Sequence, residues 1–253
     1  MDLAGKRGLV VGIANEHSIA TGYATLFRAA GAALAATYLN DKAEPFVRPV
    51  AQTLGSSIVL PCDVRIPRQP GAVFVGIATD GGRLDFVLHS IGFAPSGDLH
   101  SSLADCSAEG FALAMDVSCH SFIRMARLPL PLMTDGGSLM TVRFYEAERA
   151  VEHYNVMGPV KAAPESSVRY LAADLAANRI HVYAISAGAV KTRAATGIEH
   201  FDALLDDVRA HTPAQHLVTI EESGRIAAVL ASEAGMTLTG STIYADAGFH
   251  VMA

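Results

Sequence analysis

The residues best suited to chemistry lie in the segment Tyr154-Asn155-Val156-Met157-Gly158-Pro159-Val160-Lys161. Seven residues span nearly two helical turns, so a helix through this segment sets Tyr154 and Lys161 on one face. A lysine ammonium near a phenol favours the phenolate, lowers the tyrosine pKa and makes the hydroxyl a better proton donor. Lysine can also hold a ribose diol. A tyrosine and a lysine at this spacing recur by chance on ordinary helices. The pair therefore takes its meaning from where the fold places it.

The elements that must place it alternate along the chain. Short apolar runs at 8–12, 32–38, 57–60, 84–89, 138–142, 180–185 and 241–244 read as strands. Helical stretches fall at 18–30, 41–54, 70–80, 107–133, 154–177 and 221–232. Pro67 and Pro70 delay the third of these, and Pro129 and Pro131 interrupt the fourth. Strands apolar on both faces and separated by helices describe a parallel sheet covered on both sides. Right-handed crossovers make it an α/β, doubly wound, Rossmann-like sheet of about seven strands. No Pro/Gly/Ser-rich linker divides residues 1–253, which read as a single dinucleotide-binding domain.

In such a sheet ligands bind beyond the carboxyl ends of the strands. The first strand ends in Gly12-Ile13-Ala14-Asn15-Glu16-His17-Ser18-Ile19. A glycine there lets backbone approach a pyrophosphate, and the next helix presents free N–H groups and a positive dipole end. Ser18 is placed to cap that helix. An ordinary strand-turn-helix looks the same, because this is not G-x-G-x-x-G. Asp63, after the third strand, can bond an adenine amino group or serve as a solvated turn residue. At Ser90-Ile91-Gly92, after the fourth strand, a small residue admits ribose or nicotinamide, or simply makes a tight turn.

Composition excludes other classes. The chain is 51% hydrophobic and 17% charged, which is no disordered segment. Its 19 Lys+Arg against 25 Asp+Glu give a net charge of -6 with no basic run, so a nucleic-acid partner is not expected. No apolar stretch is long enough for a membrane span, and no signal-peptide pattern opens the chain. Three cysteines without C-x-x-C, and ten histidines without H-E-x-x-H, point to a cytoplasmic protein with no metal site.

Read together, several segments carry a resemblance. They are Gly12 with Ser18-Ile19-Ala20, Tyr38-Leu39-Asn40-Asp41-Lys42, Cys62-Asp63-Val64, and Leu88-His89-Ser90-Ile91-Gly92-Phe93-Ala94-Pro95. Tyr154-Asn155-Val156-Met157-Gly158 with Lys161, Ser167-Val168-Arg169-Tyr170-Leu171, Ala184-Ile185-Ser186-Ala187-Gly188 and Asp246 complete the set. Over essentially its whole length the chain resembles the enoyl-acyl-carrier-protein reductases of the short-chain dehydrogenase/reductase superfamily.

The resemblance implies hydride transfer from NADH to the β-carbon of a trans-2-enoyl thioester in fatty-acid synthesis. Tyr154 would hydrogen-bond the enolate oxygen, and Lys161 would hold the nicotinamide ribose. Phe144 stands where many members carry a second active-site tyrosine, with Tyr145 beside it as a partial substitute. Gly12, Ser18, Ile19, Leu39, Asp63, Val64, Ser90, Ile91 and Gly92 would line the dinucleotide, and the backbone near Ala94 would meet the thioester. Val190 and Thr192 match the segment that closes over the nicotinamide and pyrophosphate, with a substrate lid and its following helix near 188–211. A homotetramer is also implied. No arginine follows Tyr38-Leu39-Asn40-Asp41 to take a 2′-phosphate, which favours NADH, while Lys42 leaves NADPH open.

Four departures bear on function. Pro159 and Pro164 fall in the catalytic helix, where a kink would shift Tyr154 from Lys161 unless Pro159 lies in the first turn. Arg143 and Glu146 replace small or neutral residues and either pair with each other or leave Arg143 in solvent. Asp246-Ala247-Gly248 has alanine for a family glycine. After the lid, Glu199, Asp202, Asp206 and Asp207 face only Arg209, with His200 and His211 adding charge at low pH. The family usually carries basic residues there for the acidic carrier protein, and like charges disfavour that encounter. Three readings follow: an active carrier-protein enoyl reductase, a divergent paralogue using coenzyme A esters or a specialised enoyl substrate, or a catalytically impaired NAD-binding homologue. A ketoreductase is disfavoured, since only Thr141 stands near the usual serine.

Overall fold

The computed structural model describes residues 2–80, 82–144, 149–151, 154–190, 201–213 and 215–252, with the backbone alone at 201–204. The run Arg7–Val11 forms β1 and leads into α1 (Ile19–Ala29), β2 (Ala33–Tyr38), α2 (Glu44–Thr53) and β3 (Ile58–Pro61). Then come α3 (Arg68–Thr79), β4 (Phe86–His89), α4 (Ser96–His100), α5 (Ala108–Met115) and α6 (Ser121–Met125). The second half holds β5 (Gly137–Phe144), α7 (Met157–Leu175), β6 (Ile180–Ala187), α8 (Phe201–His211), α9 (Ile220–Leu230) and β7 (Ser241–Ala245).

Among the described residues the seven strands make one sheet in the order β3-β2-β1-β4-β5-β6-β7. Every pairing is parallel. The chain winds outward from β1 to β3 and crosses back to β4, so the strand order reverses between β1 and β4. That reversal opens a crevice beyond the carboxyl ends of the two strands. Alternate strand residues feed two cores. Val10, Leu88, Met140 and Ile185 pack with Tyr23 and Phe27 of α1 and Ala227 of α9. Leu9, Val87, Leu139 and Val182 pack with Phe74 of α3, Phe122 of α6 and Val168 of α7. Each large apolar side chain buried this way contributes roughly 1.5–3 kcal/mol.

Three elements differ from the sequence reading. The helical region expected over 107–133 is broken. A wide π turn at Asp116–His120 separates α5 from α6, and a 3-10 turn follows at Leu130–Leu132, led by Pro129. The fifth and sixth strands run to Phe144 and Ala187, with Arg143 opposite Ser186. Residues 143 and 144 are therefore strand residues, not loop. Finally, α7 begins at Met157, three residues after Tyr154.

Candidate active site

The late start of α7 changes how Tyr154 and Lys161 relate. Asn155 takes a left-handed backbone at φ 43°, which asparagine tolerates better than most residues. Its side-chain amide donates to the Leu99 carbonyl at 2.8 Å, tying the segment ahead of α7 to α4. Tyr154 thus precedes the helix, and its position does not come from helical periodicity. It is buried in a small apolar cluster with Ala114, Val156, Met157 and Val160, against which Ala94 and Phe144 pack. Pro159 is the third residue of α7, in the first turn, where its missing N–H has no intrahelical partner to lose. Pro164 does lie inside the helix, yet α7 continues unbroken to Leu175. Neither proline interrupts α7 between Met157 and Lys161.

Lys161 is almost fully buried. Its Nζ donates to the carbonyl oxygens of Ile91 at 3.0 Å and Val142 at 3.1 Å. It also lies 6.0 Å from the centre of the Phe144 ring. Burial pushes its pKa down to about 8, because the charged form loses solvation. Two of three ammonium N–H groups are spent on carbonyls, leaving one for a ligand. Gly92 lies against it, and a Cβ there would sit 3.3 Å from Nζ. Ile91, Gly92, Ala94, Phe144, Tyr154 and Lys161 therefore come together beyond the ends of β4 and β5.

Serines not singled out in the sequence brace this corner. The wide turn at 116–120 aims Ser118 at the 92–94 segment. Ser118 Oγ accepts from the Phe93 N–H at 2.9 Å and donates to the Phe93 carbonyl at 3.1 Å. Ser121 Oγ donates to the Val117 carbonyl at 2.6 Å and lies 2.7 Å from His89 Nε2. That leaves Nε2 as the donor and Nδ1 as acceptor from Thr141 Oγ1 at 3.3 Å. Burial, helped by the Lys161 charge, pushes His89 down to about 3, so it stays neutral. A π turn has no sequence signature, but His89 beside Ser90, at the end of the fourth apolar run, was a visible cue.

The nucleotide side is built differently. Gly12 has φ 109°, and a Cβ there would stand 2.0 Å from the Ser90 carbonyl oxygen. Only glycine lets the β1 and β4 ends meet. Ser18 occupies the N-cap backbone position of α1 but makes no side-chain cap. Its hydroxyl donates instead to the Asn15 carbonyl at 2.9 Å and bonds Thr21 Oγ1 at 2.9 Å. The first N–H groups of α1 stay available for an anion. Ile19 is buried beside them.

Asp63 is buried, but its carboxylate is already engaged. Arg65 grips it through Nε at 3.0 Å and Nη2 at 2.7 Å, and its backbone N–H adds a third bond. Those bonds hold the Asp63 pKa below the usual carboxylate range. Val64 is buried, and its carbonyl accepts from Arg124 at 3.0 Å. Leu39 is half exposed at the end of β2, and Val190 is buried beyond β6. Tyr145, Glu146, Thr192, Glu199 and His200 lie outside the described residues, as do the side chain of Asp202 and most of the lid.

Arg143 does not reach solvent. It is completely buried on the α7 side of β5. Its Nη1 donates to Ser186 Oγ at 2.9 Å, and Nη2 pairs with Glu165 of α7. The Tyr244 ring lies 5.6 Å away. Removing one member of a buried pair of this kind costs about 3–5 kcal/mol. Among the described residues, no three His, Cys, Asp or Glu side chains converge to hold a metal, and no helix is long and apolar enough to cross a membrane.

A family model described as enoyl-(acyl carrier protein) reductase matches residues 12–250. The NADH-dependent enoyl-[acyl-carrier-protein] reductase of Aquifex aeolicus is 43% identical over 251 residues, covering 99% of this chain and 93% of its own. The Anaplasma phagocytophilum reductase, solved in complex with NAD, superposes with a TM-score of 0.95 at 41% identity, covering 99% of this chain and 96% of that one. The Bacillus cereus enzyme, solved with NADP+ and an indole naphthyridinone, gives 0.97 at 40% identity with full coverage of both. With a family model across nearly its whole length, and relatives this similar end to end, the chain belongs to the enoyl-acyl-carrier-protein reductase family.

Proposed function

We propose that this chain is an NADH-dependent reductase of trans-2-enoyl thioesters carried by acyl carrier protein. The observation that carries the reading is Lys161, buried on the Ile91 and Val142 carbonyls with one N–H to spare, beside the Tyr154 and Phe144 cluster. The crevice suits a dinucleotide. At Gly12 a side chain would collide with Ser90, and at Gly92 it would crowd Lys161, so both positions keep the floor open. A reduced nicotinamide, when bound, supplies the hydride.

The chain's own groups do the rest. Lys161 offers its remaining N–H to the ribose hydroxyls. The Tyr154 hydroxyl donates to the thioester carbonyl oxygen, where negative charge collects as the β-carbon is reduced, and the α-carbon then takes a proton. Phe144 and Ala94 form the apolar wall beside the acyl chain. The N–H groups opening α1 face the pyrophosphate, with Ile19, Ser90, Ile91, Val190 and Thr192 around the cofactor and Leu39, Asp63 and Val64 toward adenosine. The residues act as one unit, in the cytoplasm, where free Cys62, Cys106 and Cys119 fit a reducing environment. Exposed Phe111, Ile123 and Tyr170 on α5, α6 and α7 offer an apolar face for the other copies of a homotetramer.

One observation favours a second reading of the substrate. Asp206 and Asp207 of α8 are exposed, with Arg209 the neighbouring cation. An acidic carrier protein meets like charge there, which favours coenzyme A or another specialised enoyl ester. Loss of reduced-nicotinamide absorbance, followed with NADH and NADPH against matched carrier-bound and coenzyme A enoyl esters, tests both. Faster turnover of the carrier-bound ester with NADH is expected. Preference for the coenzyme A ester selects the second reading, and no turnover of either sinks both.

A further inference from the structure

Arg143 heads the side chains that this fold buries completely. A cation in that position must be held, and among the described residues Ser186, Glu165 and Tyr244 hold it. Ser186 bonds it from β6, Glu165 pairs with it from α7, and the Tyr244 ring covers it from β7. Tyr244 in turn stacks on His250 at 3.8 Å, and His250 bonds the buried carboxylate of Asp246. Gly188, at the base of the lid, packs so closely on Asp246 that a Cβ there would meet its Cα at 3.1 Å.

The neighbours of Arg143 along the chain give this arrangement its meaning. Val142, one residue before, supplies a carbonyl to Lys161. Phe144, one residue after, sets its ring 6.0 Å from the same ammonium and packs on the Tyr154 cluster. Glu165 is one helical turn after Lys161 on α7, so the two side chains leave adjacent points of one helix face. The same stretch of β5 thus meets α7 twice, through Val142 with Lys161 and through Arg143 with Glu165.

We propose that Arg143 is a positioning residue: its bonds to Glu165 and Ser186 fix α7 against the ends of β5 and β6, and so set where the Lys161 ammonium sits. The proposal rests on the reading of Lys161 as the group that serves hydride transfer. Lysine at position 143 cannot reproduce it, because one ammonium lacks the planar fork that serves both partners at once.

The full-length chain is assayed as wild type, Arg143→Lys, Arg143→Met/Glu165→Leu and Ser186→Ala. The double change removes both charges together, which cores generally tolerate better than losing one. The readouts are melting temperature, kcat and KM for NADH with an enoyl thioester, and carbon-13 NMR titration at lysine Cε. The chain has only Lys6, Lys42, Lys161 and Lys191, so Lys161 is assignable. Folded Arg143→Lys and the double variant should lose roughly 10- to 100-fold in kcat, as displacements near an ångström do. Their Lys161 titration should move upward from about 8 as water reaches the ammonium. Ser186→Ala, the mildest change, should shift both readouts in the same direction by less. Variants that fold, keep kcat within about twofold and titrate at Lys161 as the wild type does overturn the proposal. If the larger variants do not fold, an unmoved Ser186→Ala overturns it alone. Wild type without turnover would sink the reductase reading instead, and the titration arm would still decide the clamp.

Discussion

The two ends of the crevice hold their polar side chains in opposite ways. At the adenosine end the side chains that looked ready for a ligand are spoken for. Arg65 takes the Asp63 carboxylate, Arg124 takes the Val64 carbonyl, and Asn15 and Thr21 take the Ser18 hydroxyl. What remains there is backbone: the bare Gly12 turn and the opening N–H groups of α1. At the nicotinamide end backbone is the support and side chains remain in play. The Ile91 and Val142 carbonyls hold Lys161, and Ser118 holds the Phe93 backbone, so that Lys161 and Tyr154 can act. A pyrophosphate can be read by generic N–H groups. Proton handling needs a tuned side chain.

The hardest blow to this division is Lys161→Met. It should lower kcat/KM for NADH by roughly 10²–10⁴, the range for a group acting on protons or holding the reacting ribose. Wild-type activity should also fall as pH rises through about 8, where the buried ammonium loses its proton. Stability should respond with the opposite sign. The folded pKa lies below the ordinary lysine value of 10.5. Between the two the unfolded chain binds more protons, so the fold gains stability as pH rises. Urea melts of wild type and Lys161→Met across roughly pH 7.5–10.5 check this, and the alkaline gain should vanish in the variant.

The backbone end is struck hardest by Gly12→Ala. The new methyl would lie 2.0 Å from the Ser90 oxygen at φ 109°, so β1 and β4 would have to separate. The backbone strain alone costs about 1–3 kcal/mol. Thermal melts should show that loss, and NADH titration should show weaker binding by roughly tenfold or more, since the N–H cradle moves with the turn. Unchanged NADH affinity would mean that the cradle lies elsewhere.

A smaller effect of opposite sign is expected beneath the catalytic end. Ala247 sits at φ 55°, in the left-handed region, next to the buried Asp246. Ala247→Gly should relieve about 1 kcal/mol of that strain and raise the melting temperature with kcat unchanged. A lower melting temperature would show that the alanine side chain has a packing role that outweighs its strain.

What was legible in the sequence follows the same division. The sheet, its parallel sense and the cluster of loops at its carboxyl edge came from apolar runs and their spacing, because burial on both faces demands such runs. Gly12 was legible because only glycine meets the steric demand there. The reach of β5 to Phe144 was not, since Arg143 reads as the end of a strand until Glu165 is seen to neutralise it and Ser186 to accept its hydrogen bond. Spacing also misplaced Tyr154 on a helix, because the left-handed Asn155 that stops α7 short has no pattern beyond one residue. The Arg65 fork on the Asp63 carboxylate was not legible, because a neighbour two residues on carries no pattern that predicts a side-chain bond.

Asp63→Asn tests that last point with the smallest expected effect. The Arg65 side chain is about half exposed, so the ion pair contributes little through charge, roughly 1 kcal/mol or less. Asparagine is nearly isosteric and can still accept from the Arg65 N–H and guanidinium. If Asp63 serves Arg65 and not the cofactor, KM for NADH should move by less than about threefold. Wild type and variant would then differ mainly in how their stability responds to acid. The wild-type carboxylate, held below its usual pKa by Arg65, contributes stability that is lost as the pH falls through that lowered value. The amide has no proton to gain there, so the variant lacks that part of the acid response. A rise in KM of roughly tenfold or more, with an unchanged melting temperature, would mean that Arg65 yields Asp63 to the adenine on binding, and the adenosine end would then use side-chain recognition as the nicotinamide end does.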